Sequence, residues 1–132
     1  MTARAFVDAV NAGRFDDAVA LLDEHFAFGG DCDYKNRRLW NIADPESARV
    51  WLQALIADRD SIQIVKFVDV PSREHVLGLE IIRTSDSIRE AYSFGFVRPL
   101  VPMVMHFSLD GRRIQQIAFA WSTPVSNFRD CG

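Results

Sequence analysis

The sequence predicts an α+β fold in which three N-terminal helices pack on one face of a curved antiparallel sheet. Three observations carry this expectation. Apolar residues recur at helical spacing as far as Asp60. Beyond Asp60 the hydrophobic period changes to two. The segments that follow are long and separated by short turn-forming sequences, the arrangement of an antiparallel meander.

Phe6 and Val10 share a helix face, and Asn11-Ala12-Gly13 supplies the stop expected just past a helix end. Phe15, Ala18, Val19 and Leu22 then recur at i, i+3, i+4 and i+7, with Asp16 and Asp17 in the first turn, so a second helix is expected to run to about Glu24. His25-Phe26-Ala27-Phe28 reads as a brief strand broken by Gly29-Gly30, and Asp31 to Asn36 as polar turn material. Asp44-Pro45-Glu46 is an N-cap, a proline at the first helical position and an acidic first turn. Ala48, Trp51, Leu52, Leu55 and Ile56 give this third helix its apolar stripe.

Four strands follow: 61–70, 75–84, about 98–109, and 113–122, with turns at Pro71 to Glu74 and at Asp110-Gly111. In the third, Met103, Met105, Phe107 and Leu109 alternate with Val104, His106 and Ser108; in the fourth, Ile117, Phe119 and Trp121 alternate with Gln116, Ala118 and Ala120. Residues 123–132 carry little apolar content and are expected to form a loose tail after a single domain spanning 1–132, its fold about 3–122.

The 132 residues suffice for one domain that buries roughly two thirds of the surface of its unfolded chain. A composition of 48% apolar and 25% charged residues excludes disorder and coiled coil. With 15 Lys and Arg against 18 Asp and Glu there is no basic field to attract nucleic acid or anionic lipid. Cys32 and Cys131 form neither a disulfide framework nor a zinc ligand set, and His25, His75 and His106 lack metal-site spacing. A cytoplasmic protein without membrane span, metal or cofactor is therefore expected.

Ala5 to Asp16, Leu21 to Phe26 and Met105 to Ile114 resemble the opening helix pair and the penultimate hairpin of the nuclear transport factor 2-like superfamily. That group shares a cystatin-like α+β cone and includes ketosteroid isomerase, limonene epoxide hydrolase, scytalone dehydratase and the SnoaL-like polyketide cyclases. The resemblance marks fold more than reaction. It places Phe6 and Met105 where ketosteroid isomerases carry their oxyanion-hole donors, and Gly29 at their base, which argues against that mechanism. Of the Asp, Arg, Asp set of limonene epoxide hydrolase, Glu80 falls on the first Asp, while Gly78 and Phe119 replace the other two.

Four residues are the candidate catalysts. Glu80 shares a strand face with Val76, Gly78 and Ile82; turned inward it is a desolvated carboxylate, turned outward an ion-pair partner for an arginine such as Arg83 or Arg113. Asp31, Asp33 and Tyr34 follow the first strand at the expected mouth of the cone, as base or substrate donor or as ordinary turn residues. Phe6, Trp40, Trp51, Met103, Met105, Phe107, Phe119 and Trp121 line the hollow for an apolar, ring-containing ligand, or fill it as core.

The reading that follows is a small cofactor-independent enzyme performing isomerisation, cyclisation or dehydration by acid/base chemistry. Its alternatives are a non-catalytic binding or assembly module and a diverged limonene-type epoxide hydrolase. A homodimer is expected through a convex sheet face carrying Leu77, Leu79, Ile81, Val104 and Ala118.

Overall fold

In a computed structural model of the chain, residues 1–33, 35–36, 38–68, 74–91 and 100–119 are described. Tyr34, Trp121 and the tail expected at 123–132 lie outside them, as does most of the turn after the first long strand. The elements are α1 (Thr2–Asn11), α2 (Phe15–Ala20), β1 (Leu22–Asp33), β2 (Arg38–Ile42), α3 (Pro45–Ala57), β3 (Ser61–Val68), β4 (Val76–Thr84), α4 (Asp86–Ala91), β5 (Leu100–Phe107) and β6 (Ile114–Phe119). The strands form a six-stranded sheet in the order β2-β1-β6-β5-β4-β3, antiparallel except where β1 runs parallel to β6.

Local chemistry sets the helix ends. Gly13, at φ +71°, takes the left-handed conformation that ends α1. Asn11 then ties that end to the sheet: its Nδ2 donates to the Ile62 carbonyl at 2.8 Å, and its Oδ1 accepts the Ile62 N–H at 2.7 Å. Asp44 caps α3 by accepting the Ser47 N–H at 2.8 Å, and Ser47 Oγ accepts the Asp44 N–H in return.

Helices and sheet enclose one apolar core. Phe6 and Val10 of α1 and Trp51, Leu52 and Leu55 of α3 meet Leu79, Ile81, Val101, Met103, Met105, Ile114 and Ile117 of the sheet, all buried. Phe26 stacks on Trp51 with ring centroids 6.2 Å apart. Among the described residues no helix is long and apolar enough to cross a membrane.

The structure corrects the sequence expectations in four places. The second helix stops at Ala20, because Leu22 already pairs with Ile114; sheet pairing overrides helical spacing there. The first strand is twelve residues long, and the polar stretch after Gly29-Gly30 continues it through a bulge between Gly29 and Asp31 into a hairpin with the unexpected β2. A short helix, α4, follows β4, started by Ser85, whose Oγ accepts the Ile88 N–H at 3.1 Å.

The fourth correction concerns β4. Leu77, Leu79 and Ile81, expected on the convex face, point into the cone with Arg83, whereas Val76, Gly78, Glu80 and Ile82 point out. Two leucines and an isoleucine bury more apolar surface than a valine, a glycine and a carboxylate beside one isoleucine, and a one-residue choice of register turns every side chain together. Val104 and Ala118 pair across the outer face as expected.

Candidate functional site

The inward face of β4 carries a charge into the core. Arg83, only 2% exposed, is held by two carboxylates at once. Its Nη1 donates to Asp31 Oδ1 at 2.6 Å and its Nη2 to Asp31 Oδ2 at 3.1 Å. On the other edge of the guanidinium, Nε donates to Asp60 Oδ1 at 3.0 Å and Nη2 to Asp60 Oδ2 at 3.0 Å. The planar fork of arginine suits two such bidentate contacts, which an ammonium could not make.

Each member comes from a different place in the fold. The β1 bulge precedes Asp31 and turns it inward, fully buried, and the Trp51 Nε1–H of α3 donates to its Oδ2 at 2.7 Å. Asp60, 5% exposed, ends the connection from α3 to β3, where its own N–H is held by the Leu55 carbonyl. Phe119 of β6 lays its ring 4.6 Å from the centre of the Arg83 guanidinium.

Two carboxylates share one guanidinium, so with all three ionised the cluster carries one excess negative charge in the interior. Burial raises the pKa of Asp60; the Arg83 charge and hydrogen bonds oppose the rise, while the negative charges of Asp31 and Asp58 add to it. Burial works against the Arg83 charge as well, but the attraction of Asp31 and Asp60 outweighs it, and the guanidinium pKa lies above its ordinary value. Arg83 faces two carboxylates whereas Asp60 shares its cation with another carboxylate, which reconciles the two directions. Arg83 is the fixed charge; Asp60 is the group whose proton affinity the site lifts.

The cluster reaches a cavity of about 220 Å³ at the mouth of the cone, lined on its polar side by Asp33, Lys35, Asp58, Asp60 and Arg83 and on its apolar side by Trp40, Leu55 and Ile88. Asp33, 7% exposed, accepts the N–H of Asn36 at 3.2 Å and its Nδ2–H at 2.9 Å, as an Asx turn does. Asp58 caps α4, accepting from Ser87 N and Ser87 Oγ.

The structure thus brings Asp31 and Asp33 to the same end of the cone and leaves Glu80 away from it. Of its two expected orientations Glu80 takes the outward one, standing on the outer face 3.9 Å from Lys66 with its side chain 35% exposed. Of the expected lining, Trp40 borders the mouth cavity and Phe119 the cluster. Phe6, Trp51, Met103 and Met105 are core residues, with Phe107 packed partly buried against them. Arg83 and Asp60 were absent from the expected site. Their signal was in the sequence: Arg83 continues the face of Leu79 and Ile81, and an arginine on a buried face demands carboxylates. Among the described residues no group of three or more His, Cys, Asp or Glu is placed to hold a metal ion.

No family model matches the sequence, and no curated protein sequence matches it. Solved structures do. An NTF2-like protein of unknown function from Cytophaga hutchinsonii superposes with a TM-score of 0.65 at 12% identity, covering 96% of this chain and 91% of that one. RV0760c from Mycobacterium tuberculosis, in complex with estradiol-17β-hemisuccinate, gives 0.69 at 13% identity over 93% of this chain and 92% of that one. SalBIII, an epoxide hydrolase/cyclase-like enzyme of pyran ring formation in the polyether salinomycin, gives 0.67 at 12% identity over 93% and 89%. Among these similar structures are thus an enzyme and a ligand-binding protein, and at such identity the likeness speaks for architecture alone. The chain has the fold of the NTF2-like superfamily, the cystatin-like α+β cone.

Proposed function

We propose that this protein is a cofactor-independent acid/base catalyst acting on a small, neutral, ring-containing molecule at the mouth of the cone, with Asp60 as its proton-transferring group. One observation carries the reading: a buried carboxyl group with raised proton affinity, coupled to a fixed cation, forms part of a cavity wall. Proton transfer is served by such a group. Asp31, anchored by Trp51, holds Arg83 in place, and Arg83 orients Asp60 and stabilises its ionised form after the proton has left. Isomerisation, cyclisation, dehydration and epoxide opening all need that step. The Asp, Arg, Asp composition matches the set that the resemblance to limonene epoxide hydrolase implies, assembled here from other positions. Trp40, Leu55 and Ile88 on the cavity wall favour an apolar ring.

A thermal-shift screen of neutral cyclic epoxides, ketones and alcohols identifies ligands, and turnover is then measured on each. For any compound turned over, Asp60→Asn is expected to lower kcat by roughly two to four orders of magnitude. Unchanged kcat refutes the role of Asp60. Ligand binding without turnover across the screen favours a non-catalytic binding module instead. That second reading draws on Phe6, Trp51, Met103 and Met105, which occupy the interior as core and leave a mouth cavity smaller than the usual ~300 Å³ of ligand sites. In either case the protein is inferred to pair through the outer sheet face, where Val68, Val76, Ile82, Pro102, Val104 and Ala118 stand together.

A further inference from the structure

The two carboxyl groups that flank Arg83 differ in what a proton on them could reach. Among the described residues Asp60 forms part of the cavity wall, and Asp31, fully buried, does not. A proton on Asp60 can meet a bound molecule. A proton on Asp31 lies on the other edge of the guanidinium, inside the core.

Arg83 itself treats the two nearly alike. It gives each a two-point contact, at 2.6 and 3.1 Å to Asp31 and at 3.0 and 3.0 Å to Asp60. Among the described contacts, the one that breaks this symmetry comes from α3: Trp51 Nε1–H donates to Asp31 Oδ2 at 2.7 Å. An indole N–H donates and never accepts, so it favours the ionised form of the carboxyl group it faces, and it does so strongly in a water-free interior. Trp51 is fully buried and its ring stacks on Phe26, which keeps the N–H aimed at Asp31. The other charges around Asp60 do not supply a second such donor. Asp58, at the end of α3, is negative and engaged with Ser87; Asp33 and Lys35 stand on the cavity wall; Arg59 and Arg89 pair with Asp86 in solvent.

We propose that Trp51 is a positioning residue that places the cluster's acidic proton on Asp60, at the cavity wall, by reserving Asp31 as the ionised partner of Arg83. With that one proton the cluster is neutral, Arg83 and Asp31 forming the ion pair and Asp60 the acid. The role of Trp51 in catalysis rests on Asp60 being the proton-transferring group; proton placement is measured without substrate, so the two can fail separately. The test is a pH titration of the ligand-free protein, followed by the side-chain carboxyl carbon shifts of Asp31 and Asp60. It compares the parent with Trp51→Phe and with protein carrying benzothienylalanine at position 51, which replaces the N–H by sulfur and keeps the bicyclic ring, and hence the packing, should Trp51→Phe fail to fold. In the parent the first proton is expected on Asp60. Without the N–H, the ratio of protonated Asp60 to protonated Asp31 is expected to fall by roughly ten- to hundredfold. A parent whose first proton sits on Asp31, or an unchanged ratio in the benzothienylalanine protein, overturns the role of Trp51; kcat of Asp60→Asn judges Asp60 independently.

Discussion

Replacing Arg83 with Met removes the guanidinium from the buried cluster while keeping a side chain of similar length on the inner face of β4. The change deletes the contacts from Nη1 and Nη2 to Asp31 and from Nε and Nη2 to Asp60, and leaves two carboxyl groups in the interior. Removing one partner of a buried pair costs about 3–5 kcal/mol, because the remaining charge keeps its desolvation penalty without compensation. Against a total stability of about 5–15 kcal/mol that is a large fraction, and for a chain of this length it lowers Tm by roughly 10–20 °C. The loss depends on pH. A carboxyl group whose folded pKa lies above its unfolded value contributes stability that is present below the unfolded value, near 4, and lost as pH rises through the folded one. Asp60 already leans that way in the native protein, and without Arg83 it does so further. The deficit of Arg83→Met, measured by urea unfolding against the parent, is therefore expected to be largest at pH 7 and to shrink toward pH 4. Adding Asp31→Asn and Asp60→Asn should restore much of it at pH 7. A deficit of equal size at both pH values, or one below about 1 kcal/mol at pH 7, refutes the charge argument.

Glu80→Gln is expected to change stability by no more than about 0.5 kcal/mol and to leave turnover intact, since it breaks only a solvated pair with Lys66; a tenfold loss of kcat would return the catalytic role to Glu80. Asp44, whose pKa is lowered by the Ser47 N–H and hydroxyl, contributes stability that is present above pH 4 and lost as pH falls through its folded pKa, so Asp44→Asn should flatten the acid limb of the stability curve. Sedimentation velocity at micromolar concentration is expected to give a dimer that Val104→Glu dissociates; a monomeric parent protein would remove the outer face as an interface.

The architecture was legible where local and tertiary preferences agree. Asn11-Ala12-Gly13 ends a helix in any context that tolerates φ > 0, and Asp44-Pro45 starts one through its own side chain, so both boundaries could be read from the chain alone. The elements that sequence reasoning missed are those whose reason is elsewhere. The polar tract from Asp31 to Asn36 contains half of a hairpin because its backbone pairs with Leu39 and Trp40, and its carboxylates are tolerated inside because Arg83, 52 positions away, meets one of them. The short α4 left a local trace in Ser85-Asp86-Ser87, a capping sequence, yet its six residues are too few to show a helical period.

The site turned on a single parity. Fixing the inner face of β4 on Leu77, Leu79 and Ile81 buries Arg83 automatically, and a buried guanidinium then poses a question of its own, namely which carboxylates in the chain can reach it. Fixing it on Gly78 and Ile82 buries Glu80 and poses the opposite question. Apolar bulk favours the first choice, but the attraction of a carboxylate as a ready-made acid/base group pulls toward the second. The physical criterion is therefore area before chemistry: the face is chosen by what buries most apolar surface, and the charged residue that comes along with it is the one whose environment is unusual. By that rule Arg83 outranks Glu80 in this sequence, and the carboxylate with raised proton affinity is found beside it, at Asp60, in a connection no strand pattern would have singled out.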